Sequence, residues 1–324
     1  MSSTTTFQRS CLRARLLLAA ALACFGQDVT FRSTVPLVVA PVTVTGPDGR
    51  PMDGLTERDF HLLDNGIPRR IGGEILIEPL ALVVAVQTSE ASAAALTKIR
   101  RIGSMIHPLI TGKRGSAAIL AFDEEIRLVQ EFTSSEDLIS GAFQSLRPRG
   151  GRGRILDAVD RSVRLLRDGP PRHRRVILLV GEQKDSRSES RIEEVLTEAQ
   201  RENITIYALT YSPVLTGLTV KSHELPPSSG MNLLALFSHL AHHGKENAAE
   251  TLTRYTGGRR IGFVRQNALE DAVSAIGEEL HSQYLLSFSP PPETPAGYRA
   301  IEVRVPGRPD ARVRTRPGYW LGEP

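Results

Sequence analysis

Residues 82–92 read LVVAVQTSEAS, an apolar run that ends in a polar turn. The run at 82–86 has the composition of a buried strand, and Gln87, Thr88 and Ser89 follow it directly. In an open α/β sheet, ligands bind at the carboxyl ends of the strands, so this turn is a candidate site. Hard cations prefer charged oxygen ligands, but this turn offers an amide at Gln87. The stretch is therefore a binding site, a binding site that has lost its ligand-binding residues, or only a turn.

From residue 80 to residue 282, strand patterns alternate with helix patterns, which is typical of a mainly parallel sheet. The patterns predict strands at 80–86, 116–122, 125–130, 174–181, 204–210 and 260–264, and helices near 92–109, 135–146, 155–167, 188–202, 231–255 and 267–282. Capping residues predict helix starts near Ser135 and Asn267. The strands at 116–122 and 125–130 are too close for a crossover helix, so we expect an antiparallel hairpin at the sheet edge. The predicted fold class is α/β, with a doubly wound, mainly parallel sheet.

The two flanks of this region are rich in short strand patterns. Residues 27–78 contain the hairpin signal Asp64-Asn65-Gly66, and residues 283–324 contain strand patterns separated by proline and glycine. Neither flank has enough strands to bury two faces by itself. We therefore predict that segments 27–78 and 283–324 pack together as a small β-sandwich-like unit beside a domain at 79–282.

Residues 1–26 resemble a secretory signal peptide, with a basic start, a short apolar run and small residues after it. Cleavage before Cys24 would expose a cysteine that can carry a lipid anchor, whereas later cleavage gives a soluble secreted form. The predicted location is periplasmic, cell-envelope or extracellular. Both cysteines lie in this segment, so no disulfide is expected in the mature chain.

The charge balance argues against nucleic acid as a partner. The formal charge is +4, and residues 1–26 hold three arginines and no acid, so their removal leaves +1. A nearly neutral chain has no global attraction to a polyanion. No run of residues is long and apolar enough to predict a transmembrane helix.

Residues 80–282 resemble a von Willebrand factor A (VWFA) domain, a doubly wound α/β fold that serves mainly in adhesion and protein–protein contact. The flanks narrow the resemblance to exported VWFA-related proteins of Acidobacteria. DGRPMDGLTERDFHLLDNGIPRRI at 48–71 is similar to the leading segment of that group, and the sequence from 282 to 320 is similar to its usual ending. The segment GKENAAETLTRYTGGR at 244–259 fits as well.

Many VWFA domains carry a metal-ion-dependent adhesion site, made of Asp-x-Ser-x-Ser, a Thr on a second loop and an Asp after the fourth strand. Here the first motif reads QTSEA at 87–91, with only Ser89 matching, and Gly153 and Glu182 stand in the Thr and Asp positions. The resemblance implies a degenerate site at Gln87, Ser89, Ala91, Gly153 and Glu182. With one charged ligand, such a site should bind Mg²⁺ weakly, so we expect no metal and no other cofactor.

These observations predict an exported, non-enzymatic interaction or adhesion module with an unknown protein partner. Four cations of the site loops are candidates for binding an acidic partner: Arg152, Arg154, Lys184 and Arg187. The alternative for that cluster is loop charge that only faces water. Two other functions stay open: a Mg²⁺- or Mn²⁺-dependent adhesin that uses Ser89 and Glu182, and a hydrolase, for which the sequence offers no G-x-S-x-G motif.

Overall fold

The computed structural model describes residues 37–72, 79–211 and 244–322. Its strands are β1 (Val38–Thr45), β2 (His61–Asp64), β3 (Ile67–Arg69), β4 (Leu80–Gln87), β5 (Ser116–Phe122), β6 (Ile126–Thr133), β7 (Arg174–Gly181), β8 (Thr205–Thr210), β9 (Arg260–Gly262), β10 (Tyr284–Phe288), β11 (Gly297–Arg304), β12 (Arg312–Arg314) and β13 (Gly318–Leu321). Its α-helices are α1 (Ala93–Ile99), α2 (Gly103–Ile106), α3 (Glu136–Ser145), α4 (Ile155–Arg167), α5 (Ile192–Arg201), α6 (Ala248–Thr256) and α7 (Gln266–Ser282).

A six-stranded sheet in the order β6-β5-β4-β7-β8-β9 forms the centre of the fold. Its strands pair in parallel except at one edge, where β5 and β6 form the predicted antiparallel hairpin. Every residue of β4 is buried, because helices cover both faces of the sheet. Leu82 and Val84 contribute to the core on one face, and Val83 and Ala85 contribute to the core on the other.

The helices divide between the two faces of this sheet. Helices α1, α2, α3 and α7 pack on the face of Leu82, whereas α4, α5 and α6 pack on the face of Val83. Helices on both faces of a mainly parallel sheet make the fold doubly wound. The predicted fold class is therefore confirmed.

The two flanks of the chain form two antiparallel sheets, as predicted. One sheet has the order β10-β1-β12 and the other has the order β13-β11-β2-β3, so each contains strands from both flanks. The two sheets share an apolar core with members from β1, β2, β10, β11 and β13. At the β2–β3 turn, Asn65 and Gly66 have φ values of 49° and 78°, as a type I′ hairpin turn requires. Neither flank could bury this core alone.

Two predicted helices are wrong in their extent. The helix at 92–109 is divided into α1, α2, two short 3₁₀ turns and a π-helical segment at His107–Thr111. Two features accompany this division. A Cβ at Gly103 would lie 2.7 Å from Cβ of Phe143, so α3 packs tightly against this point. Pro108 has no backbone N–H group and therefore cannot donate a helical hydrogen bond. The helix at 188–202 begins only at Ile192, because the backbone N–H groups before it donate to buried carboxylates.

The predicted helix starts have different outcomes. Ser135 caps α3, since its Oγ accepts a hydrogen bond from the backbone N of Leu138. Helix α7 begins at Gln266, one residue before the predicted start, but Arg265 and not Asn267 holds the cap position. Asn267 is therefore the second residue inside the helix.

Several predictions fall outside the described residues. These are the signal peptide at 1–26 with the lipid anchor at Cys24, and residues 231–243 of the helix predicted at 231–255. The boundaries between the predicted segments stay predictions. Within the three described ranges, no helix combines the length and apolar character needed to cross a membrane.

Candidate functional site

Three loops meet at the carboxyl ends of strands β4 and β7. The first follows Gln87, the second runs through 149–154 and the third begins at Glu182. The backbone joins the first two, because the N–H of Arg149 donates to the carbonyl of Thr88 at 2.7 Å. Parallel crossover topology brings these ends together, as ligand sites in open α/β sheets require.

The side-chain amide of Gln87 lies at the centre of this meeting point and is fully buried. Its Nε2 donates to Oγ of Ser89 at 2.9 Å and to Oε2 of Glu182 at 2.7 Å. Its Oε1 accepts the backbone N–H of Glu182 at 2.9 Å. The nitrogen and the oxygen of the Gln87 carboxamide therefore both hydrogen-bond to Glu182 and so link the first loop to the third.

Two glycines make room for this amide. A Cβ on Gly153 would lie 2.7 Å from both Cδ and Nε2 of Gln87, and a Cβ on Gly181 would lie 2.8 Å from its Oε1. Protein atoms do not approach so closely without a shift of one partner. The loop at 149–154 can therefore close over Gln87 because residue 153 has no side chain.

Four of the five predicted site positions come together in this arrangement. They are Gln87, Ser89, Gly153 and Glu182. Ala91 does not join them, since it lies exposed in a 3₁₀ turn, and Ser92 takes the buried position beside it. The Oγ of Ser92 donates to the carbonyl of Ser89 and so fixes that turn.

Tyr211, which sequence reasoning missed, adds a buried hydroxyl near the site. It directly follows strand β8, and its backbone N–H donates to the carbonyl of Gly181 at 3.2 Å. Burial, together with the negative charge of Glu182, raises the pKa of Tyr211, so the hydroxyl stays protonated at neutral pH. Its ring packs edge-on against Phe263. No motif marks this residue, because only the strand register brings it here.

A second network, also missed by sequence reasoning, holds the third loop against helix α4. The Oδ1 atom of buried Asp185 accepts the backbone N–H groups of Ile155 and Leu156 at 2.8 and 3.3 Å, and the hydroxyl of Ser188 at 2.6 Å. A carboxylate at a helix start satisfies free N–H groups and interacts favourably with the helix dipole. Residue 185 is distant in sequence from residue 155, so no local capping pattern reveals it.

Arg154, one of the four predicted partner-binding cations, is half-buried and pairs with carboxylates of the protein itself. Its Nε lies 2.6 Å from Oδ2 of Asp157, and its Nη2 lies 3.1 Å from Oε1 of Glu189. Burial opposes the ionisation of Asp157, but hydrogen bonds from Ser190, Arg154 and the backbone of Glu189 outweigh it and hold its pKa below the ordinary value. The guanidinium fork of Arg154 is therefore already occupied.

The other three predicted cations lie at the surface. Lys184 is 3.5 Å from Oε1 of Glu246, and both side chains are more than 60% exposed. Arg152 and Arg187 are exposed, and neither forms an ion pair or side-chain hydrogen bond within the described part of the chain. The two loops that carry these arginines are in contact, because the backbone N–H of Ser186 donates to the carbonyl of Gly153 at 3.4 Å.

Thr88 and Asp123 form a third network beside the site. The hydroxyl of Thr88 donates to Oδ2 of Asp123 at 2.8 Å, and Arg127 donates to both carboxylate oxygens at 2.6 and 3.1 Å. Burial opposes the ionisation of Asp123, yet hydrogen bonds from Arg127, Glu125 and Thr88 lower its pKa. This network fixes the backbone that carries Gln87 and Ser89.

The donor set at the meeting point differs from that of a divalent cation site. The oxygens of Ser89 and Glu182 face an amide nitrogen, and the oxygen of Gln87 already accepts a backbone hydrogen bond. Mg²⁺ requires near-octahedral oxygen ligands. Across the described ranges, no group of three or more His, Cys, Asp or Glu side chains is placed to hold a metal ion.

This chain is similar in fold to several proteins of known structure. No family model and no curated protein matches the sequence. BatB from Bacteroides thetaiotaomicron is 14% identical with a TM-score of 0.45, and the match covers 62% of this chain and 98% of that chain. A von Willebrand factor type A protein from Catenulispora acidiphila is 9% identical with a TM-score of 0.47, over 91% of this chain and 65% of that chain. Proximal thread matrix protein 1 from the mussel byssus, with a zinc-occupied MIDAS motif, is 16% identical with a TM-score of 0.43, over 65% of this chain and 48% of that chain.

Proposed function

We propose that this chain is an exported, non-enzymatic interaction module of the VWFA type that binds an acidic protein partner without a metal ion. The observation that carries the proposal is the Gln87 carboxamide, which hydrogen-bonds both Ser89 and Glu182 at the carboxyl edge of the sheet. The export part of the proposal is supported by the signal-like sequence at 1–26.

The Gln87 amide supports a function without metal. An amide N–H group cannot coordinate a cation, and here it donates to the two oxygens that a cation would need. Turning the amide to present its oxygen would break the bond to the backbone N–H of Glu182 and leave buried donors unpaired. Each buried group left without a partner costs about 1–3 kcal/mol. The residues at this site therefore do not fit Mg²⁺ or Mn²⁺.

The surface around the closed site supports an acidic partner. Arg152 and Arg187 are exposed and lack carboxylate partners within the described ranges. A guanidinium can bind a carboxylate through two charge-assisted hydrogen bonds, so it can take the role that a cation has in a metal-dependent site. Arg154 supports this surface indirectly, because its bonds to Asp157 and Glu189 hold the loop that carries Arg152.

The polar groups of the site are engaged in hydrogen bonds within the protein. The hydroxyl of Ser89 accepts the Gln87 amide, and the hydroxyl of Ser188 donates to Asp185. A serine nucleophile needs a base within hydrogen-bond reach. Neither of these serines has a histidine among its described hydrogen-bond partners, so the hydrolase alternative gains no support.

Binding to a cell-envelope extract tests the proposal. The chain without residues 1–26 is immobilised, and the captured proteins are identified for the wild type and for the R152A/R187A double variant. Arg114 supplies the matched control, since it is an exposed arginine just before β5, at the opposite edge of the sheet. We expect R114A to retain the partner and the double variant to lose at least about tenfold in affinity, because two charge-assisted contacts to the partner are removed.

Three results would contradict the proposal. Equal capture by the wild type and the double variant would exclude the arginine surface. Affinity that does not fall with rising salt would exclude a charge-based contact. Binding that requires Mg²⁺ or Mn²⁺ and disappears with EDTA would favour the metal-dependent adhesin with Ser89 and Glu182.

A further inference from the structure

A small cavity lies at the opposite edge of the central sheet from the Gln87 site. It has a volume of about 150 Å³ and is bounded by the end of helix α5, the start of β1 and strand β13. Helix α5 ends beside the amino-terminal start of β8, which places the cavity away from the carboxyl ends of the strands. A volume of about 150 Å³ is enough for a small organic molecule.

The wall of the cavity combines apolar surface with arginine. Leu37, Tyr319 and Leu321 supply apolar surface, and Arg201 and Arg316 supply charge. The guanidinium of Arg201 is engaged, since it pairs with Glu198 at 3.2 Å and donates to the carbonyl of Gly322. Arg316, in contrast, has only neutral hydrogen-bond partners among the described residues, so its positive charge is not neutralised by a carboxylate there.

The Arg316 side chain is 2% exposed and has no carboxylate partner within the described ranges. Its Nη1 donates to the carbonyl of Gln200 at 3.2 Å and its Nη2 to Oδ1 of Asn203 at 3.3 Å, and both acceptors are neutral. Its Nε is buried without a hydrogen-bond partner. Only two of the five N–H donors of the guanidinium are therefore used by the protein.

A buried cation of this kind needs more compensation than the protein supplies. Burial lowers the pKa of Arg316 to about 10, which still leaves the guanidinium charged at neutral pH. The carbonyl of Gln200 lies at the negative end of α5 and offsets part of the charge. Burying an unpaired ion is nevertheless costly, and buried charges are as a rule paired.

We propose that this cavity binds a carboxylate, with Arg316 as its charge partner and the apolar wall around its carbon chain. A guanidinium and a carboxylate match in geometry and charge, and pockets for small ligands combine apolar walls with few polar groups. The carboxylate belongs either to a short-chain organic acid or to the C-terminus of a peptide, since both present the same head group. This site is separate from the Gln87 site and does not depend on the proposed function.

Trp320 makes the proposal testable by fluorescence. It lines the cavity and is the only tryptophan of the sequence, so its emission reports on this site alone. The full chain without residues 1–26 is titrated with butyrate and, separately, with butyramide, a neutral molecule of the same shape. We expect a saturable change in emission with butyrate and none with butyramide.

Substitutions of Arg316 test whether its guanidinium group causes the change in Trp320 emission. R316Q should weaken butyrate binding at least tenfold, R316K should weaken it less because it keeps the charge, and R114Q should bind as the wild type does. Circular dichroism checks that each variant is folded. The comparison of butyrate with butyramide uses only the wild type, so it remains decisive if R316Q does not fold.

A short apolar peptide separates the two sources of the carboxylate. Tighter binding of the peptide with a free C-terminus than of butyrate identifies a chain end, and binding of butyrate alone identifies a small acid. The proposal is wrong if no probe gives a saturable change, if butyramide equals butyrate, or if R316Q binds like the wild type. In the last case Arg316 serves only to cap helix α5.

Discussion

The carboxamide of Gln87 fills the space that a side chain at position 153 would need. A Cβ built on Gly153 would lie 2.7 Å from both Cδ and Nε2 of Gln87. Residues 87 and 153 are two of the positions that the sequence resemblance to VWFA domains assigns to a degenerate metal site. The two residues are complementary in the structure, because a side chain at position 153 would have to displace the carboxamide of Gln87.

A side chain at position 153 should therefore destabilise the protein through Gln87. We expect G153A to lower the free energy of unfolding by about 1–3 kcal/mol, the usual cost of overpacking a tight site. In a Q87A background the same change should cost much less, because the clashing atoms are gone. Urea unfolding of the four chains gives the coupling energy.

Gly150 supplies the matched control for this cycle. It lies in the same loop, and a Cβ there would meet no atom within 4 Å. G150A should therefore cost less than G153A. Equal costs for G153A in the wild-type and Q87A backgrounds would show that the two residues do not interact.

Asp185 should contribute to stability as the cap of α4. Its Oδ1 accepts two backbone N–H groups of the first turn, and D185A removes these bonds. We expect a loss of about 1–2 kcal/mol in unfolding free energy, the upper range for a helix cap. Faster hydrogen exchange at Ile155 and Leu156 would locate the effect, and unchanged exchange there would contradict it.

The lowered pKa of Asp157 predicts a dependence of stability on pH. Hydrogen bonds to the ionised form outweigh burial, so the folded pKa lies below the unfolded one. The stabilisation is then complete above the ordinary carboxyl pKa of about 4 and disappears as the pH falls through the lowered value. D157N should be less stable than the wild type at pH 7 and should lose less stability on acidification.

Asp168, whose side chain is 76% exposed, provides the comparison for that experiment. Urea midpoints are measured from pH 7 down to pH 3 for the wild type, D157N and D168N. D168N should follow the wild-type curve. A D157N curve parallel to the wild type would refute the role of Asp157.

Removal of residues 283–324 should destabilise the N-terminal flank as well. Strand β1 pairs with β10 and β12, and β2 pairs with β11, so the deletion removes most of their neighbours. We expect the backbone amides of Val38–Thr45 to lose their protection from hydrogen exchange. Unchanged protection in that strand would contradict a shared sandwich.

Periodicity and turn chemistry suffice to predict most of the fold. Helix α4 and strand β7 lie at the predicted positions, and the Asn65–Gly66 hairpin follows from the φ values that its turn requires. The predicted helix at 188–202 begins late, because Asp157 and Asp185 bind the backbone N–H groups that would start it. That competition comes from distant residues, so local sequence does not reveal it.

The candidate site is predictable only in part. The resemblance to VWFA domains selects Gln87, Ser89, Gly153 and Glu182, and these four lie together. The resemblance treats these positions as lost metal ligands, whereas in the structure they form a hydrogen-bonded network. The network could not be predicted, because the partners of the Gln87 amide depend on how the loops fold against each other. The pairing of Arg154 with Asp157 and Glu189 is likewise a tertiary feature that spacing does not reveal.

The melting temperature in the presence of Mg²⁺, Mn²⁺ or EDTA shows whether the Gln87 site can hold a metal ion. A ligand that binds only the folded state stabilises it by RT ln(1 + [L]/Kd), so a working metal site would raise the melting temperature by several degrees at millimolar metal. The Q87D/G153T variant, which places Asp and Thr at the two complementary positions, serves as the comparison. We expect the melting temperature of the wild type to change by less than about 1 °C under all three conditions, because about 1 kcal/mol corresponds to some 2–4 °C. A rise of several degrees for the wild type with Mg²⁺ or Mn²⁺, reversed by EDTA, would contradict this expectation.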